Sequence, residues 1–213
     1  MKLYTYWRST AAYRVRIALA LKNIPYQSVP VHLVKDGGQQ RNAAYTEKNP
    51  HQLVPLLELD DGRCIAQSLA IIEYLDELVP SPPLLPNEPV LRAQVRSIAL
   101  AIACDIHPLN NLRVTQYLTS TLHASEDAKK DWYAHWITLG FTAIEKTLST
   151  IPGPFAFGSH VSLADICIVP QVYNAQRFSI PLDRYPRLRA INEACASLQS
   201  FQDARPEAQS DAM

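Results

Sequence analysis

The chain has 213 residues, 47% of them hydrophobic, so it can bury a sizeable core and is not expected to be disordered. Lys and Arg together number 20, as do Asp and Glu, so the chain lacks the excess positive charge that favours nucleic-acid binding, and we expect no nucleic-acid partner. Charged residues between Met1 and Lys22 interrupt every apolar run before it reaches the length of a signal peptide or a membrane span, so we expect a cytoplasmic protein with no membrane partner.

The first part of the chain predicts a small α/β domain. Residues 2–6 have the composition of a strand, residues 9–22 show the apolar spacing of a helix, and residues 25–31 predict a second strand. A strand, a helix and a strand joined by short connections form a βαβ unit, so we expect the two strands to be parallel.

An antiparallel hairpin is expected further along the same domain. Residues 53–59 and 63–66 are mostly apolar and flank the turn sequence Asp60-Asp61-Gly62, which is the order of strand, turn and strand that hairpins show. Ser68 is the expected cap of a helix that continues to Leu78.

Four cysteines, Cys64, Cys104, Cys167 and Cys195, lie far apart in apolar surroundings. They show neither the paired spacing of a disulfide framework nor the spacing of metal ligands. Because small apolar cysteine side chains are usually buried, the sequence predicts four reduced core thiols and no metal site.

A proline-rich segment separates the α/β domain from the rest of the chain. Five prolines lie within residues 80–89, which forbids both a continuous helix and regular strand pairing there. Beyond this segment, helical spacing runs through residues 90–120, 125–149, 162–176 and 186–199. We predict an α/β domain over residues 1–80, a linker over 81–89 and an all-helical domain over 90–213.

Ser162 and Asp165 have the spacing of a helix capping box, and an apolar run follows them. In this arrangement the hydroxyl and the carboxylate satisfy backbone N–H groups at a helix start. The pair therefore predicts a helix start that organises the helical domain rather than a ligand site.

Three features of the α/β domain favour a small anionic ligand. The turn at residues 7–10 brings the hydroxyl of Ser9 together with free N–H groups at a helix start. Val54 precedes a proline that lacks an N–H, which leaves the Val54 backbone to pair with an extended ligand. Gln67 and Ser68 offer an amide, a hydroxyl and the positive end of a helix dipole, which suit a carboxylate. Each feature alone is also explained by ordinary capping or by a strand end.

This order of elements resembles that of the cytosolic glutathione transferases along the whole chain, and five motifs resemble their zeta class. The first motif is WRSTAAYRVRIAL at residues 7–19. The others are residues 35–40 with Asn49-Pro50, residues 67–75, residues 107–112, and Ala164-Asp165 with residues 169–172. The resemblance implies a thioredoxin-like N-terminal domain followed by an all-α C-terminal domain.

The same resemblance implies an enzyme of the maleylacetoacetate isomerase type, which other glutathione transferase activity can accompany. Such an enzyme converts maleylacetoacetate to fumarylacetoacetate in tyrosine and phenylalanine catabolism, with glutathione as a cofactor that is returned in each cycle. The thiolate of glutathione adds to the double bond, the resulting single bond rotates, and elimination restores the double bond as trans. The family also implies a homodimer.

Residue roles follow from matching the motifs. Ser9, assisted by Thr10 and nearby N–H groups, is implied to stabilise the glutathione thiolate. Binding of the tripeptide is implied for Gln40, Val54, Gln67, Ser68 and, from the helical domain, Asn111.

The substrate carries two carboxylates, for which the planar guanidinium of arginine is well suited. Arg8, in the turn beside Ser9, and Arg177, at the end of a predicted helix, are the candidates, with Arg8 also assisting catalysis. An ordinary surface arginine at a helix end equally explains Arg177. We expect Arg14 and Arg16 to make structural pairs or to face solvent rather than to bind an anion.

The chain departs from the zeta-class pattern at Ala11, where the signature has a cysteine. Since the activating hydroxyl is assigned to Ser9, we expect this change to alter affinity or substrate range rather than to abolish activity. Relatives that isomerise maleylpyruvate tend to carry an extra arginine where this chain has Leu112, which favours maleylacetoacetate, although Arg113 is adjacent.

Three alternatives stay open at this point. The first is isomerisation of maleylpyruvate, and the second is another zeta-class activity, such as conjugation or dehalogenation of small α-halo acids. The third, of a different class, is a catalytically silent glutathione-binding protein, because a fold alone does not establish function.

Overall fold

A computed structural model of the chain describes residues 1–212 and divides them into two compact units. The first comprises Met1–Pro83 and the chain from Ser197 onward, and is called the sheet unit below. The second comprises Leu84–Ala196 and is called the helical unit.

Four short strands form the sheet of the sheet unit: β1 Lys2–Thr5, β2 Gln27–Pro30, β3 Leu56–Glu58 and β4 Cys64–Ala66. Their order across the sheet is β2-β1-β3-β4. β1 pairs with β2 in parallel, whereas β3 is antiparallel to both β1 and β4. The predicted βαβ unit and the predicted hairpin are both confirmed.

The helices of the sheet unit are α1 Thr10–Leu21, α2 Ala43–Lys48 and α3 Ser68–Leu78, with single 3-10 turns at Lys35–Gly37 and Gln39–Arg41 before α2. Most of α1 is buried, including Arg14 and Arg16, which are each 1% exposed. Lys22 caps the end of α1, and its buried ammonium donates to Asp76 and to the carbonyls of Val79 and Pro82. One buried cation therefore joins the end of α1 to the end of α3 and to the proline-rich segment.

The helical unit contains α4 Pro89–Leu100, α5 Leu112–Ser120, α6 Glu126–Leu148, α7 Leu163–Arg177 and α8 Pro186–Ala196. A π-helical segment, Ala101–Ile106, continues α4. The helical spacing of residues 90–120 predicts one continuous stretch, but a turn at residues 107–111 separates the π-helical segment from α5.

The predicted helix start at Ser162 is confirmed. Oδ2 of Asp165 accepts from the backbone N–H of Ser162 at 2.8 Å and from its hydroxyl at 2.7 Å, while Oδ1 accepts from the N–H of Ala156 at 2.7 Å. Burial raises the pKa of Asp165, and the hydrogen bonds oppose that shift. This carboxylate fixes the start of α7, whose side chains are almost all buried.

The end of the chain differs from the prediction. The predicted helical domain extends from residue 90 to residue 213, yet α9, Gln199–Ala204, packs against α1 in the sheet unit. Nε of the buried Arg16 donates to the carbonyl oxygen of Ala204 at 2.9 Å. Because a periodic pattern shows which face of a helix is apolar but not what covers it, the sequence does not reveal this partner.

The prediction of a buried thiol is wrong for two of the four cysteines. Cys167 and Cys195 are buried, but Cys64 and Cys104 are exposed, and all four are free thiols. Cys64 lies on β4, which is an edge strand of the sheet. None of the helices within residues 1–212 combines the length and the apolar character that crossing a bilayer requires.

Candidate active site

The predicted ligand-binding segments of the sheet unit lie together at one end of the strands of its sheet. Tyr4 of β1 pairs with Leu56 of β3, and Leu56 pairs with Ala66 of β4. Because β3 runs antiparallel to its two neighbours, the chain leaves β1, enters β3 and leaves β4 at the same end of the strands. This row of strand ends is called the site edge below. It carries the turn at residues 6–9, the Val54-Pro55 dipeptide and the Gln67-Ser68 dipeptide.

Ser9 caps the helix that starts at this edge. Its Oγ accepts a hydrogen bond from the N–H of Ala12 at 3.2 Å, and Thr10 is the first residue of α1. A serine hydroxyl has one proton to donate besides its lone pairs. Capping uses a lone pair, so the proton of Ser9 stays available for an acceptor at the positive end of the α1 dipole. The cap and the proposed catalytic role are therefore compatible.

Arg16 holds the turn that leads to Ser9. Its guanidinium donates to Oγ1 of Thr5 at 3.1 Å, to the carbonyl oxygen of Tyr6 at 3.4 Å and to that of Trp7 at 3.1 Å. Of the two expectations for Arg16, the structural pairing is the one that the structure shows, since its donors bond the Thr5 hydroxyl and backbone carbonyls of its own unit.

Arg8 is the exposed cation of this turn. Its guanidinium carbon lies 4.2 Å from the centroid of the Trp7 ring, a cation–π contact, while Trp7 itself is 4% exposed. Within residues 1–212 no carboxylate forms an ion pair with Arg8. The buried indole thus supports a positive charge that remains available to an anion.

Val54 has the free backbone that the sequence predicts. The peptide bond between Val54 and Pro55 is cis, and strand pairing between β1 and β3 ends at Leu56. In the part of the chain that the structure describes, neither the N–H nor the carbonyl of Val54 takes part in a backbone hydrogen bond. An extended peptide can pair with both groups.

The expectation that Ser68 is the N-cap of α3 is wrong. Gln67 occupies the N-cap position with φ of 74°, and Ser68 is the first residue of α3. Oγ of Ser68 instead accepts from Nη1 of Arg14 at 3.3 Å, and both side chains are buried. The left-handed backbone of Gln67 is uncommon for a residue other than glycine, and such strained residues cluster at functional sites. Its exposed side chain is presented at the site edge.

Gln40 carries an acceptor that its own chain leaves unsatisfied. The side chain is 8% exposed, and Nε2 donates to the carbonyl of Leu33, which follows β2, at 3.4 Å. Among residues 1–212, nothing donates to its buried Oε1. A Cβ at Gly38 would lie 2.6 Å from Nε2, so glycine there makes room for this amide. An orphaned buried acceptor costs free energy that an N–H of a ligand would recover.

Two predicted site residues belong to the helical unit. Asn111 caps α5, with Oδ1 accepting from the N–H of Arg113 at 3.1 Å, so its Nδ2 donors remain for a ligand. Arg177 ends α7, and its guanidinium carbon lies 4.7 Å from the ring centroid of Phe178, which stacks on Tyr133 at 3.8 Å. Burial raises the pKa of Tyr133, whereas the hydrogen bond with Asn174 and the charge of Arg177 lower it.

One residue near the site is absent from the sequence-based prediction. Oδ2 of Asp211 accepts from the backbone N–H of Trp7 at 3.0 Å. The two residues are 204 positions apart, and no local pattern around Asp211 points to such a contact. Only the placement of the chain end in the sheet unit reveals it.

Comparisons with known proteins agree with this arrangement. The family model described as "Glutathione S-transferase, N-terminal domain" matches residues 3–83. A probable maleylacetoacetate isomerase of Vibrio cholerae is 50% identical over 210 residues, which cover 99% of this chain and 97% of that protein.

Two solved structures are similar over their whole length, and each covers 100% of both chains. One, the holo form of maleylpyruvate isomerase, "a bacterial glutathione-s-transferase in Zeta class", is 44% identical with a TM-score of 0.96. The other, a maleylacetoacetate isomerase from Methylobacterium extorquens AM1 with bound malonate and GSH, is 37% identical with a TM-score of 0.96. With this identity and coverage, the chain belongs to the zeta-class glutathione S-transferases of the maleylacetoacetate isomerase type.

Proposed function

We propose that this enzyme converts maleylacetoacetate to fumarylacetoacetate by glutathione-dependent cis–trans isomerisation. Full-length relatives named maleylacetoacetate isomerase support this activity. The observation that carries the proposal is the hydroxyl of Ser9, which caps α1 through a lone pair and keeps its proton for a thiolate at the site edge.

The residues of the sheet unit suit glutathione, an extended tripeptide with carboxylates at both ends. The free backbone of Val54 would pair with its cysteinyl part, as strands pair. Gln67 and Ser68 would bind the γ-glutamyl end, and Gln40 would accept an N–H at its orphaned Oε1. Structures of relatives have been solved with glutathione bound, which supports the same cofactor here.

Bound glutathione would supply a thiolate that adds to the conjugated double bond, permits rotation about the resulting single bond and leaves unchanged. Ser9 would donate a hydrogen bond to the sulfur and so favour its ionised form. Thr10 and the N–H groups of the first turn of α1 contribute further positive potential. The family resemblance also assigns a glutathione contact to Asn111, whose Nδ2 donors would make it.

Arg8 and Arg177 bind the two carboxylates of the substrate. Arg8 adjoins Ser9 in sequence and has no ion-pair partner within residues 1–212, so its charge also stabilises the negative charge that develops on the substrate oxygen during catalysis. The guanidinium of Arg177 lies over the ring of Phe178. This contact already restricts the Arg177 side chain, so the side chain loses less conformational entropy when it binds a carboxylate.

Maleylpyruvate is the second candidate substrate. A structural relative with a TM-score of 0.96 is named for that reaction, and Arg113 lies exposed in the first turn of α5 beside Leu112. We favour maleylacetoacetate because Leu112 replaces the arginine typical of the maleylpyruvate enzymes.

The test is to assay both substrates side by side, with and without glutathione, and to measure glutathione at the end. We expect turnover of maleylacetoacetate only with glutathione, which is recovered unchanged. Consumption of glutathione would indicate a transferase instead. Binding of glutathione without turnover of either substrate would indicate a silent binding protein.

The proposal extends to the biological setting. On the family resemblance, the enzyme acts in the cytoplasm, in the catabolism of tyrosine and phenylalanine, as a homodimer. Light scattering coupled to size-exclusion chromatography tests the dimer, because a mass equal to one chain would exclude it.

A further inference from the structure

We infer that Asp211, which is followed by two residues in the sequence, positions the turn that carries Ser9. This inference rests on the proposed role of Ser9. Asp211 touches neither the reacting atoms nor the cofactor in this account, so it is a positioning residue and not a catalytic one.

The first observation is that both backbone polar groups of Trp7 are held by ionic side chains. Its N–H donates to Oδ2 of Asp211 at 3.0 Å, and its carbonyl accepts from Nη2 of Arg16 at 3.1 Å. Hydrogen bonds that involve a charged group are shorter and about twice as strong as neutral ones. The two peptide groups that flank the Cα of Trp7 are therefore each held by one of these bonds, two residues before Ser9.

The second observation is that the end of the chain is itself anchored in the sheet unit. Arg16, which holds the Trp7 carbonyl, also donates to the carbonyl of Ala204 in α9. Nε2 of Gln209 donates to the carbonyls of Asp203 and Arg205 at 2.9 and 3.0 Å, which closes the tail into a compact loop. The buried guanidinium of Arg16 thus bonds both α9 and the Ser9 turn. Asp211 adds a second hydrogen bond between the tail and this turn.

The third observation is that the tail packs on the apolar cluster beneath the site edge. Ala212 packs against buried side chains that include Trp7 and Val54. The tail therefore packs against a cluster to which both the Ser9 turn, through Trp7, and the Val54-Pro55 dipeptide, through Val54, contribute a side chain. Misplacement of a reacting group by an ångström is enough to slow catalysis on the order of a hundredfold, so a loosened turn is expected to lower turnover.

The geometry also predicts which substitution preserves the function. Oδ1 of Asp211 is buried and accepts no hydrogen bond from any of residues 1–212, so only one oxygen of the carboxylate is used. Asp211→Asn retains an oxygen that can accept from the Trp7 N–H, whereas Asp211→Ala removes it. The matched control is Asp183→Ala, which removes an exposed aspartate from the helical unit.

The first measurement is amide hydrogen exchange in the glutathione-free protein. We expect the Trp7 N–H to exchange at least about tenfold faster in Asp211→Ala than in the parent. The N–H of Tyr13, which donates to the carbonyl of Ser9 at 2.8 Å inside α1, is the internal reference and is expected to stay protected. Unchanged exchange at Trp7 would overturn the inference, whatever the activity.

The second measurement is kinetic. We expect Asp211→Ala to lower kcat about tenfold with KM for substrate nearly unchanged, and Asp211→Asn to stay within about threefold of the parent. Equal losses in both variants would mean that charge, not the hydrogen bond, matters and would overturn the inference. A failure of Asp211→Ala to fold would also overturn it, because Asp211 would then act in folding.

The third measurement separates this inference from the proposed function. If Asp211 acts through Ser9, adding Asp211→Ala to Ser9→Ala should lower kcat little further, because coupled residues are not additive. If kcat of the double variant instead falls by the product of the two single losses, the inference is overturned while the role of Ser9 remains intact. Conversely, an unaffected Ser9→Ala enzyme would overturn the role of Ser9, and the exchange measurement would still decide whether Asp211 fixes the turn.

Discussion

Nη1 of Arg14 donates a hydrogen bond to Oγ of Ser68 at 3.3 Å, between side chains that are 1% and 6% exposed. The bond joins α1, which begins beside Ser9, to α3, which begins at the site edge. Ser68 therefore serves the packing of two helix starts as well as the proposed binding of glutathione.

Ser68→Ala is expected to lower both stability and glutathione affinity. The change removes an acceptor from a buried guanidinium, which costs about 1–3 kcal/mol of unfolding free energy. It also removes a proposed glutathione ligand, so the dissociation constant should rise about tenfold. Urea unfolding and calorimetry measure the two effects, with exposed Ser97→Ala on α4 as the control. An unchanged affinity would restrict Ser68 to its bond with Arg14.

Arg8→Ala and Arg177→Ala are expected to weaken capture of the dianionic substrate. Hydrogen bonds to charged groups contribute about 1.5–3 kcal/mol, so kcat/KM should fall about tenfold to a hundredfold. For Arg8→Ala we also expect a lower kcat, because its charge acts as negative charge develops. Steady-state kinetics with maleylacetoacetate measures both constants.

The control for these arginines is Arg189→Ala, which removes a partly exposed guanidinium 3.9 Å from Asp183. Glutathione affinity, measured by calorimetry, should change little in all three variants. If kcat/KM of Arg177→Ala equals that of the parent, Arg177 is an ordinary surface residue at the end of α7.

Ala11→Cys, which restores the zeta-class signature, is expected to give a folded and active enzyme. Position 11 is the second residue of α1, beside the residues that present the Ser9 hydroxyl. The new thiol should change the dissociation constant of glutathione or the KM of substrate while kcat stays within about tenfold. An inactive parent that gains activity only with Ala11→Cys would show that the site is misassigned.

A pH dependence of stability follows from Glu58 on β3. Hydrogen bonds from Lys48 at 2.8 Å and Tyr4 at 2.8 Å lower the pKa of this carboxyl from 4.5 to about 2. A pKa that is lower in the folded state stabilises the protein above the unfolded value, and this stability is lost as pH falls through the folded value. We expect unfolding free energy to decline between pH 4.5 and 2.

Urea unfolding at several pH values measures this decline, which should be shallower in Glu58→Gln. Glu77→Gln, at an exposed position of α3, is the control and should follow the parent. Glu58 forms ion pairs with Lys2 at 3.2 Å and with Lys48 at 2.8 Å. Parallel curves for the parent and Glu58→Gln would mean that these ion pairs do not contribute to stability.

Local patterns predict much of the sheet unit. Strand composition, the turn at Asp60-Asp61-Gly62 and the helix after the Ser9 turn correspond to β1, β3, β4 and α1 in the structure. These features depend on residues that are close in sequence, which is where periodicity and turn chemistry are informative.

What the sequence does not predict depends on distant contacts. The expected cap at Ser68 is wrong, and its hydroxyl instead bonds a buried arginine. The exposure of Cys64, on an edge strand, and of Cys104, in the π-helical segment, is not predicted because nothing local shows which neighbours cover a cysteine. The contact of Asp211 with Trp7 joins opposite ends of the chain. For such pairs the sequence offers residue types but not partners, and the family resemblance concerns the motifs alone.

The most direct test of the central claim compares Ser9→Ala with Ser125→Ala. Ser125 caps α6 as Ser9 caps α1, with Oγ accepting from the N–H of Ala128 at 3.1 Å. Each change removes one cap, so each should cost about 1 kcal/mol of stability. The pair separates capping from catalysis.

The measurement is kcat for the isomerisation of maleylacetoacetate at saturating glutathione. Removing one donor to a developing anion lowers turnover by on the order of 10² to 10³ fold, and we predict this loss for Ser9→Ala with nearly unchanged turnover for Ser125→Ala. Turnover of Ser9→Ala within a few fold of the parent would contradict the assignment of Ser9 as the residue that activates the cofactor.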